Sequence, residues 1–250
     1  MDQKALKPIN IWTTSSGPNG WKPLIILEEL GIPYTVTGLT FAQLIAPEFK
    51  KLNPGGKVPV MLDPNTDLLL WESGAIMMYL VDQYDTAKKL TYTSLKENSL
   101  LNQWLMFQMS QQGPMYGQVG WFNVMHPEKL PSVIERYTEQ AHRILRILNG
   151  ALEGKQWLVG DKCTFADLGF FMWHIVLPLS MGFELGKTPL AEHPNVLAWH
   201  ERMAARASCK KIIAIRQAQM DAEGLGTNAL PTNMSVDEMV KHLAESEKQA

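Results

Sequence analysis

Short apolar runs occupy the N-terminal part of the chain, and their spacing changes from one run to the next. Ile9–Trp12 alternates apolar and polar residues as a strand does, whereas Lys22–Leu30 places apolar residues at helical spacing. Gly31 stands where a helix C-cap is expected, and β-branched residues follow in Tyr34–Leu39. This pattern predicts a βαβ unit with parallel strands and a right-handed crossover.

Two further apolar runs predict a hairpin. Val58–Leu62 and Leu68–Trp71 have the length of strands, and Asp63–Asp67 between them is rich in turn-forming residues. Helix-forming residues follow in Ser73–Gln83, and the strand-like pattern ends after Tyr84. The N-terminal part is therefore predicted to be an α/β unit.

The rest of the chain has helical spacing from Ser94 to about Arg216. We expect a domain boundary near residues 86–94, with an α/β domain at 1–87 and an all-helical domain at 94–220. Breaks in the helical pattern are expected near Gly113–Pro114, His126–Pro127, Gly150–Gly160, Gly182–Pro189 and His193–Pro194. A polar extension, 221–250, follows, in which Val236–Ser246 is compatible with a short amphipathic helix.

The most apolar segment, Leu168–Phe183, is predicted to be a buried helix. His174 and Pro178 interrupt it, and it is too short to span a bilayer comfortably, so we expect no membrane segment and a helix break at Pro178. Thr164 and Asp167 just before it have the spacing of a capping box, with Asp in place of the usual Glu or Gln. Their expected role is structural.

Charge and cysteine usage exclude several classes of function. The 250 residues include 23 Lys+Arg and 25 Asp+Glu without a basic block, so we expect no nucleic-acid partner. Cys163 and Cys209 form no C-x-x-C pair, and the polar N-terminus lacks the apolar core of a secretory signal, which favours a cytoplasmic protein. His126, His174 and His200 are isolated without metal-ligand spacing, so no metal site is predicted and they are expected to pack or lie at the surface.

The segment Asn53–Val60 contains the first candidate for ligand binding. Pro59 opens a strand, where it needs no N–H for the ladder, and an X-Pro bond takes the cis form at modest cost. A cis bond would turn the Val58 backbone outward, so that its N–H and C=O could pair with an extended peptide. A plain loop-to-strand transition is the alternative explanation.

The second candidate lies in Trp71–Ile76, at the end of a strand and the start of a helix. The free N–H groups of a helix N-terminus favour a carboxylate ligand, to which the Ser73 hydroxyl adds a donor. Glu72 can hold an ammonium group, so the pair could bind the α-carboxylate and α-amine of an amino acid. Simple capping with Ser73 as the N-cap is the alternative.

These signals occur in the order that is typical of the soluble glutathione transferases, which the chain resembles from residue 9 to about 216. The resemblance implies a thioredoxin-like domain followed by an all-helical domain. Within the family, the chain is similar to the subgroup that contains the yeast nitrogen-catabolite prion protein and the bacterial nu-class enzymes. The segments that carry this similarity are Ser16–Gly20, Ala46–Phe49, Trp71–Ile76, Pro114–Gln118 and Glu135–Thr138.

The resemblance implies a set of contacts with glutathione. Val58 would pair with the cysteinyl backbone, Glu72 and Ser73 would hold the γ-glutamyl end, and Lys57 would meet the glycyl carboxylate. Relatives also use a His in the loop before Ala46, where this chain has Leu44–Ile45. Lys57 is therefore expected to provide more of the glycyl contact.

Thiol activation requires a donor near the sulfur, because the nucleophile is the thiolate and a free thiol has a pKa of about 8.5. No Tyr or Cys occupies the turn after the first strand, which leaves Ser16 and Asn19, with Ser15 and Thr14 as weaker candidates. Relatives in this subgroup use the Asn, so Asn19 is favoured and Ser16 comes second. Both could instead only shape the turn.

A hydrophobic co-substrate is expected between the two halves. Apolar and aromatic residues of one helical region could line an adaptable pocket: Trp104, Phe107, Met115, Trp121 and Phe122, with Met125 beside them. A buried core would use the same residue types.

The resemblance implies a glutathione transferase that delivers the ionised thiol to a small apolar electrophile, and a homodimer, since family members pair as two-fold dimers. Conjugation, double-bond isomerisation in a secondary-metabolite pathway, and peroxide or disulfide reduction all begin with the same thiolate. The alternative is a non-catalytic glutathione-binding regulatory protein, as some members of the subgroup are. The chain lacks a long Asn/Gln-rich head, which argues against prion-like regulation.

Overall fold

The computed structural model describes residues 6–183, 187–226, 232–233 and 238. Within them, the N-terminal half contains a mixed four-stranded sheet. The strand order is β2-β1-β3-β4. The strands are β1 Ile9–Thr13, β2 Tyr34–Gly38, β3 Val60–Asp63 and β4 Leu68–Trp71.

The strand pairing confirms both predicted supersecondary units. β1 is parallel to β2, with Ile11 opposite Val36, as expected for a βαβ unit. β3 is antiparallel to β1, with Ile11 opposite Met61, and to β4, with Met61 opposite Leu70. The sheet therefore joins the βαβ unit to the hairpin through β1 and β3.

The other regular elements of the described chain are mainly α-helices. They are α1 Trp21–Leu30, α2 Phe41–Ile45, α3 Pro47–Lys50, α4 Ser73–Tyr84, α5 Leu95–Phe107, α6 Gly113–Gly120, α7 Pro131–Ala151, α8 Phe165–Ser180, α9 Pro194–Ala204 and α10 Ala207–Ala222. The strands and α1–α4 come before the connection at residues 85–94, and α5–α10 come after it. This order agrees with the predicted fold class, while the domain limits 1–87 and 94–220 stay a prediction.

Helix α1 lies at the centre of the core. Its apolar residues Leu24, Ile25 and Leu27 are fully buried and belong to one hydrophobic cluster that continues into the helical half. Gly31 ends α1 with a left-handed φ of 67°, as the C-cap prediction requires. Because α1 packs against α4, α8 and α10, it connects the two halves.

The predicted break at Gly113–Pro114 is wrong. A π-helical turn, Gln108–Gln112, leads directly into α6, and the Gly113 N–H donates to Gln108 O in the π-helical pattern. The helical path therefore continues through Pro114, which follows this irregular turn and does not lie within a regular α-helix. A second π-helical turn, Trp121–Met125, follows α6. The helical path ends at His126, which has an extended backbone, so the break predicted there is confirmed.

The predicted break at Pro178 is also wrong, because α8 continues to Ser180. Pro178 lies in the last turn, where it removes only one helical hydrogen bond, and the Ser180 hydroxyl donates to Val176 O at 3.1 Å. The three later breaks separate α7, α8 and α9 as expected. Within them, residues 184–186 lie outside the described residues.

Asp167 fulfils the predicted structural role of the capping box. Its Oδ2 accepts hydrogen bonds from Thr164 N at 2.9 Å and Thr164 Oγ1 at 2.7 Å. Its Oδ1 accepts from Leu158 N and from Trp199 Nε1, each at 3.0 Å. Burial raises the pKa of Asp167, and these hydrogen bonds act in the opposite direction. One buried carboxyl group thus ties α8 to the preceding loop and to α9.

Glu29 at the end of α1 forms an ion-pair cluster with the start of α10. Arg206 binds its carboxylate in bidentate geometry, with Nε and Nη2 each 2.7 Å from a carboxylate oxygen. The Ser208 hydroxyl donates to the same carboxylate, and Lys89 Nζ lies 3.3 Å from it. These contacts fix the helical half to α1.

Three remaining sequence expectations concern a membrane segment, the cysteines and the C-terminal extension. No described helix is long and apolar enough to cross a membrane. Cys163 and Cys209 are free and buried. The helix predicted for Val236–Ser246 lies outside the described residues except for residue 238.

Candidate functional site

The turn between β1 and α1 is held in shape by residues of the turn itself and by its two flanking residues, Thr13 and Trp21. A Cβ at Gly20 would lie 1.8 Å from the Thr13 hydroxyl, so a larger residue does not fit there. The Trp21 indole N–H lies 3.1 Å from Thr14 O and 3.2 Å from Ser15 O. The turn that contains the candidate thiol partners is therefore held in one shape.

The C-terminal end of α10 also contacts this turn. The Ser15 hydroxyl donates to Glu223 Oε2 at 2.5 Å, and Arg216 Nη2 donates to Ser16 O at 3.0 Å. Arg216 is buried, and burial lowers its pKa to about 10. The hydroxyl of Ser15 and the carbonyl of Ser16 are thus engaged by α10.

Asn19 is oriented by a tryptophan of the helical half. Trp173 Nε1 donates to Asn19 Oδ1 at 2.9 Å. Because an indole nitrogen can only donate, the amide atom facing it must be the oxygen, and Nδ2 is left as the donor for a ligand. The Trp173 ring lies against Gly113 and Gly117, where a Cβ would be in ordinary van der Waals contact at 3.5 Å.

The Val58–Pro59 peptide bond is cis, which confirms the prediction. β3 begins at Val60 and not at Val58, because Pro59 has no N–H for the ladder. Within the described chain, no backbone hydrogen bond involves the N–H or C=O of Val58. Asn53 Nδ2 donates to Lys57 O at 2.7 Å and holds the preceding turn.

Glu72 and Ser73 lie at the start of α4. The alternative explanation, in which Ser73 is the N-cap, does not hold. Glu72 occupies the N-cap position with a φ of 73°, no side chain caps the helix, and Ser73 is the first helical residue. Glu72 is exposed, whereas Ser73 is buried with its Oγ 3.5 Å from Met109 Sδ. The hydroxyl and the free N–H groups of the first turn can therefore meet a carboxylate.

A cavity of about 380 Å³ brings most of the predicted residues together. From the N-terminal half it is lined by Asn19, Asn53, Lys57, Val58, Pro59, Glu72 and Ser73. From the helical half it is lined by Gln108, Met109, Gly113, Pro114, Gly117, Gln118 and Trp173. Ser16 does not belong to the described lining, although it was the second candidate for the thiol contact.

The residues predicted for the co-substrate pocket lie elsewhere: the described lining of this cavity includes none of Trp104, Phe107, Met115, Trp121 and Phe122. Trp104, Phe107 and Met115 pack against the main core, with the rings of the first two 5.6 Å apart. Phe122 stacks on Tyr137 with the ring centroids 5.6 Å apart. Core packing thus accounts for three of these residues.

Leu44, one of the two residues found where the resemblance implies a histidine, makes an apolar contact. It is buried in a small cluster with Phe49 and Val60, against which Val58 also packs. Lys57 is exposed beside the cavity. The side that was predicted to hold the glycyl carboxylate therefore has Lys57 as its cation within the described lining.

The histidines are not as isolated as the sequence suggests. The rings of His174 and His200 lie 5.8 Å apart, and burial, followed by His200, lowers the pKa of His174 well below its ordinary value. They pack in the core of the helical half. Among the described residues, His142, Glu192 and His193 each place a ligand atom within 4.8 Å of the others, a grouping that their separation in sequence hides.

Sequence reasoning missed the contribution of the helical half to the cavity. Trp173 lies in the long apolar helix pattern, and Gln108 and Met109 lie in the π-helical turn, which has no distinctive sequence signal. The resemblance segment Pro114–Gln118 was the one available indication, because it contains cavity residues.

Comparisons with known proteins agree with this fold. Residues 16–83 match the family model of the glutathione S-transferase N-terminal domain, and residues 113–207 match that of the glutathione S-transferase C-terminal domain. The glutathione S-transferase-like protein gedE of Aspergillus terreus is 41% identical over 218 residues, which cover 84% of this chain and 96% of the relative. The transcriptional regulator URE2 of Saccharomyces cerevisiae is 32% identical over 249 residues, covering 84% of this chain and 69% of the relative.

A solved structure shows the same fold. The glutathione transferase URE2P6 from Phanerochaete chrysosporium, in complex with oxidized glutathione, superimposes with a TM-score of 0.80 at 40% sequence identity. The match covers 85% of this chain and 98% of that structure.

Proposed function

Since the chain belongs to the glutathione S-transferase family, we propose that it binds glutathione in the cavity between its halves and activates the thiol. The ionised thiol then attacks a small apolar electrophile. The observation that carries this proposal is the shared cavity, which collects Asn19, Val58, Glu72 and Ser73. These four residues come from separate segments and match the parts of one tripeptide.

The binding roles follow from the chemistry of each group. The free N–H and C=O of Val58 pair with the cysteinyl backbone as an added strand. The Ser73 hydroxyl and the first turn of α4 hold the γ-glutamyl carboxylate, and Glu72 holds the α-ammonium group. Lys57 faces the glycyl carboxylate at the other end of the tripeptide.

Asn19 activates the thiol in this proposal. Its Oδ1 is occupied by Trp173, so Nδ2 donates to the sulfur and favours the thiolate. Lowering the thiol pKa by about one unit requires about 1.4 kcal/mol of preferential stabilisation, which is within the range of one hydrogen bond to a charged group. Ser16 lies outside the described cavity lining and is not assigned this role.

The thiolate is common to several reactions. Conjugation, or reversible addition that isomerises a double bond in a secondary-metabolite pathway, is the outcome that we favour. Pro114, Gly117 and Trp173 provide apolar surface beside the sulfur position for a small hydrophobic co-substrate. Peroxide or disulfide reduction by the same thiolate is the alternative reaction.

A non-catalytic glutathione-binding regulatory protein is the second candidate function. It is favoured by the similarity to a protein named as a transcriptional regulator and by Leu44, which replaces a polar glutathione contact with an apolar one. A protein of this kind binds glutathione without lowering the thiol pKa.

The proposal includes a homodimer in the cytoplasm. Exposed apolar side chains on β4 and α5 support pairing with a second copy: Leu69, Trp71, Leu95 and Met106. The two free, buried cysteines fit a reducing compartment.

Two measurements test the proposal. Retention on immobilised glutathione with release by free glutathione is expected, and a folded protein without retention contradicts both candidate functions. A glutathione-dependent spectral change with a panel of electrophiles, activated alkenes and peroxides is expected for the enzyme. Retention without any turnover would favour the regulatory protein.

A further inference from the structure

Lys22 in the first turn of α1 is a buried cation that forms no ion pair among the described residues. It is fully buried, its Nζ donates to Gln108 Oε1 at 2.7 Å, and Nζ lies 3.5 Å from Met109 Sδ. Both partners are neutral, and the ion pairs found among the described residues do not include Lys22. Buried charges in proteins are normally paired, so the charge of Lys22 needs an explanation.

The partners of Lys22 form the wall of the proposed glutathione cavity. Gln108 and Met109 both line it, and the Met109 sulfur also lies 3.5 Å from Ser73 Oγ. The Lys22 ammonium and the Ser73 hydroxyl therefore flank the same sulfur atom. The position proposed for the γ-glutamyl carboxylate lies beside Ser73, so a ligand would bring a second negative charge, besides Glu72, close to Lys22.

We propose that Lys22 is a positive charge of the glutathione site, which attracts the α-carboxylate of the γ-glutamyl group from behind Gln108 and Met109. Lys22 and Glu72 together then match a zwitterionic amino-acid head, with the cation near the carboxylate and Glu72 near the ammonium group. This assignment rests on the proposed function. It makes Lys22 a residue that selects ligands with an α-amino-acid head.

The protonation of Lys22 should change when the ligand binds. Burial lowers the pKa of Lys22 to about 7, and Glu72 acts in the opposite direction. Glu72 is the charged group that acts on Lys22 within the described chain, since Gln108 and Met109 are neutral. An incoming carboxylate raises the pKa of Lys22, so binding takes up a proton above neutral pH.

The experiment compares two ligands and two proteins by calorimetry. The ligands are S-methylglutathione, which has no ionisable thiol, and its analogue without the α-carboxylate. The wild type should bind the analogue much more weakly, and Lys22→Met should reduce that discrimination by about tenfold. In buffers of different ionisation enthalpy, wild-type binding of S-methylglutathione should show net proton uptake that Lys22→Met loses.

Matched variants separate this role from a structural one. Lys57→Met removes a cation at the other end of the cavity and should weaken both ligands by the same factor. Lys22→Arg keeps the charge and should restore part of the discrimination, with folding of each variant checked by circular dichroism. Equal discrimination in wild type and Lys22→Met, whatever the proton uptake, overturns this proposal alone. Absence of wild-type binding to S-methylglutathione overturns the proposed function as well.

Discussion

The Trp173 indole nitrogen lies 2.9 Å from Asn19 Oδ1, although the two residues are 154 positions apart in the chain. This hydrogen bond crosses from the helical half to the turn after β1. It fixes the orientation of the Asn19 amide, because the indole can only donate. In the proposed function, the helical half therefore contributes to thiol activation by orienting Asn19.

Removing this hydrogen bond should impair activation. Trp173→Phe keeps an aromatic ring but leaves the Asn19 amide free to rotate, so Nδ2 no longer points to the sulfur for most of the time. We expect kcat for conjugation to fall by about tenfold, as expected for the loss of about 1.4 kcal/mol of thiolate stabilisation. Steady-state kinetics with a chromogenic electrophile measure the change.

Trp157→Phe is the matched control for this variant. Trp157 is also a nearly buried tryptophan, but it contacts Arg202 and does not line the cavity as described. Its replacement should leave kcat unchanged. Equal kcat values in Trp173→Phe and Trp157→Phe would show that orientation of Asn19 is unimportant.

Glu72→Gln should weaken glutathione binding. The variant keeps the size of the side chain but loses the negative charge that holds the α-ammonium group, so Kd for S-methylglutathione should rise by about tenfold. Calorimetry measures Kd. Asp82→Asn removes a charge from the same helix outside the described cavity lining and should bind as tightly as the wild type. If Glu72→Gln binds S-methylglutathione as tightly as Asp82→Asn does, Glu72 does not belong to the binding site.

Glu29 should make the free energy of unfolding depend on pH in the acid range. Burial acts to raise the pKa of Glu29, but the hydrogen bonds from Arg206 and Ser208 outweigh it and lower the pKa from 4.5 to about 2. A depressed pKa stabilises the protein above the unfolded value, by about 3 kcal/mol here, and this stability is lost as the pH falls from 4.5 to about 2.

Glu29→Gln should therefore lower the free energy of unfolding by about 3 kcal/mol at pH 7 and flatten its dependence on pH in the acid range. Urea unfolding at a series of pH values measures both effects. Glu48→Gln, which changes an exposed residue of α3, should leave the curve unchanged. Because the pKa of Asp63 is also lowered, some acid dependence should remain, but a dependence in Glu29→Gln as steep as that of the wild type would contradict the assignment.

Much of the fold could be predicted from local sequence. Alternation in Ile9–Trp12, helical spacing in Lys22–Leu30 and the C-cap at Gly31 depend on interactions within a few residues, and the structure confirms all three. The two wrong helix breaks also have a local reason. Pro114 directly follows a π-helical turn and Pro178 lies in the last turn of α8, so neither proline interrupts the middle of a regular α-helix.

The candidate site could be predicted only in part. Pro59, Glu72 and Ser73 belong to short motifs, so sequence reasoning selected them. Trp173 and Lys22 depend on tertiary packing: one reaches Asn19 from the helical half, and the other looks like an ordinary solvated helix residue. A single sequence does not reveal which distant side chains contact Trp173 and Lys22.

The choice between Asn19 and Ser16 has a sharp test. Asn19→Asp keeps an acceptor for the Trp173 indole but replaces the donor to the sulfur with a negative charge, so the pKa of the bound thiol should rise. Ser16→Ala removes a hydroxyl outside the described cavity lining and should leave that pKa unchanged.

The most direct measurement is the pKa of the thiol of bound glutathione, obtained from the ultraviolet absorbance of the thiolate as a function of pH. The wild type and Ser16→Ala should show a pKa at least about one unit below the free value of about 8.5, while Asn19→Asp should show a pKa at or above that value. A depressed pKa that survives in Asn19→Asp, or is lost in Ser16→Ala, would contradict the account.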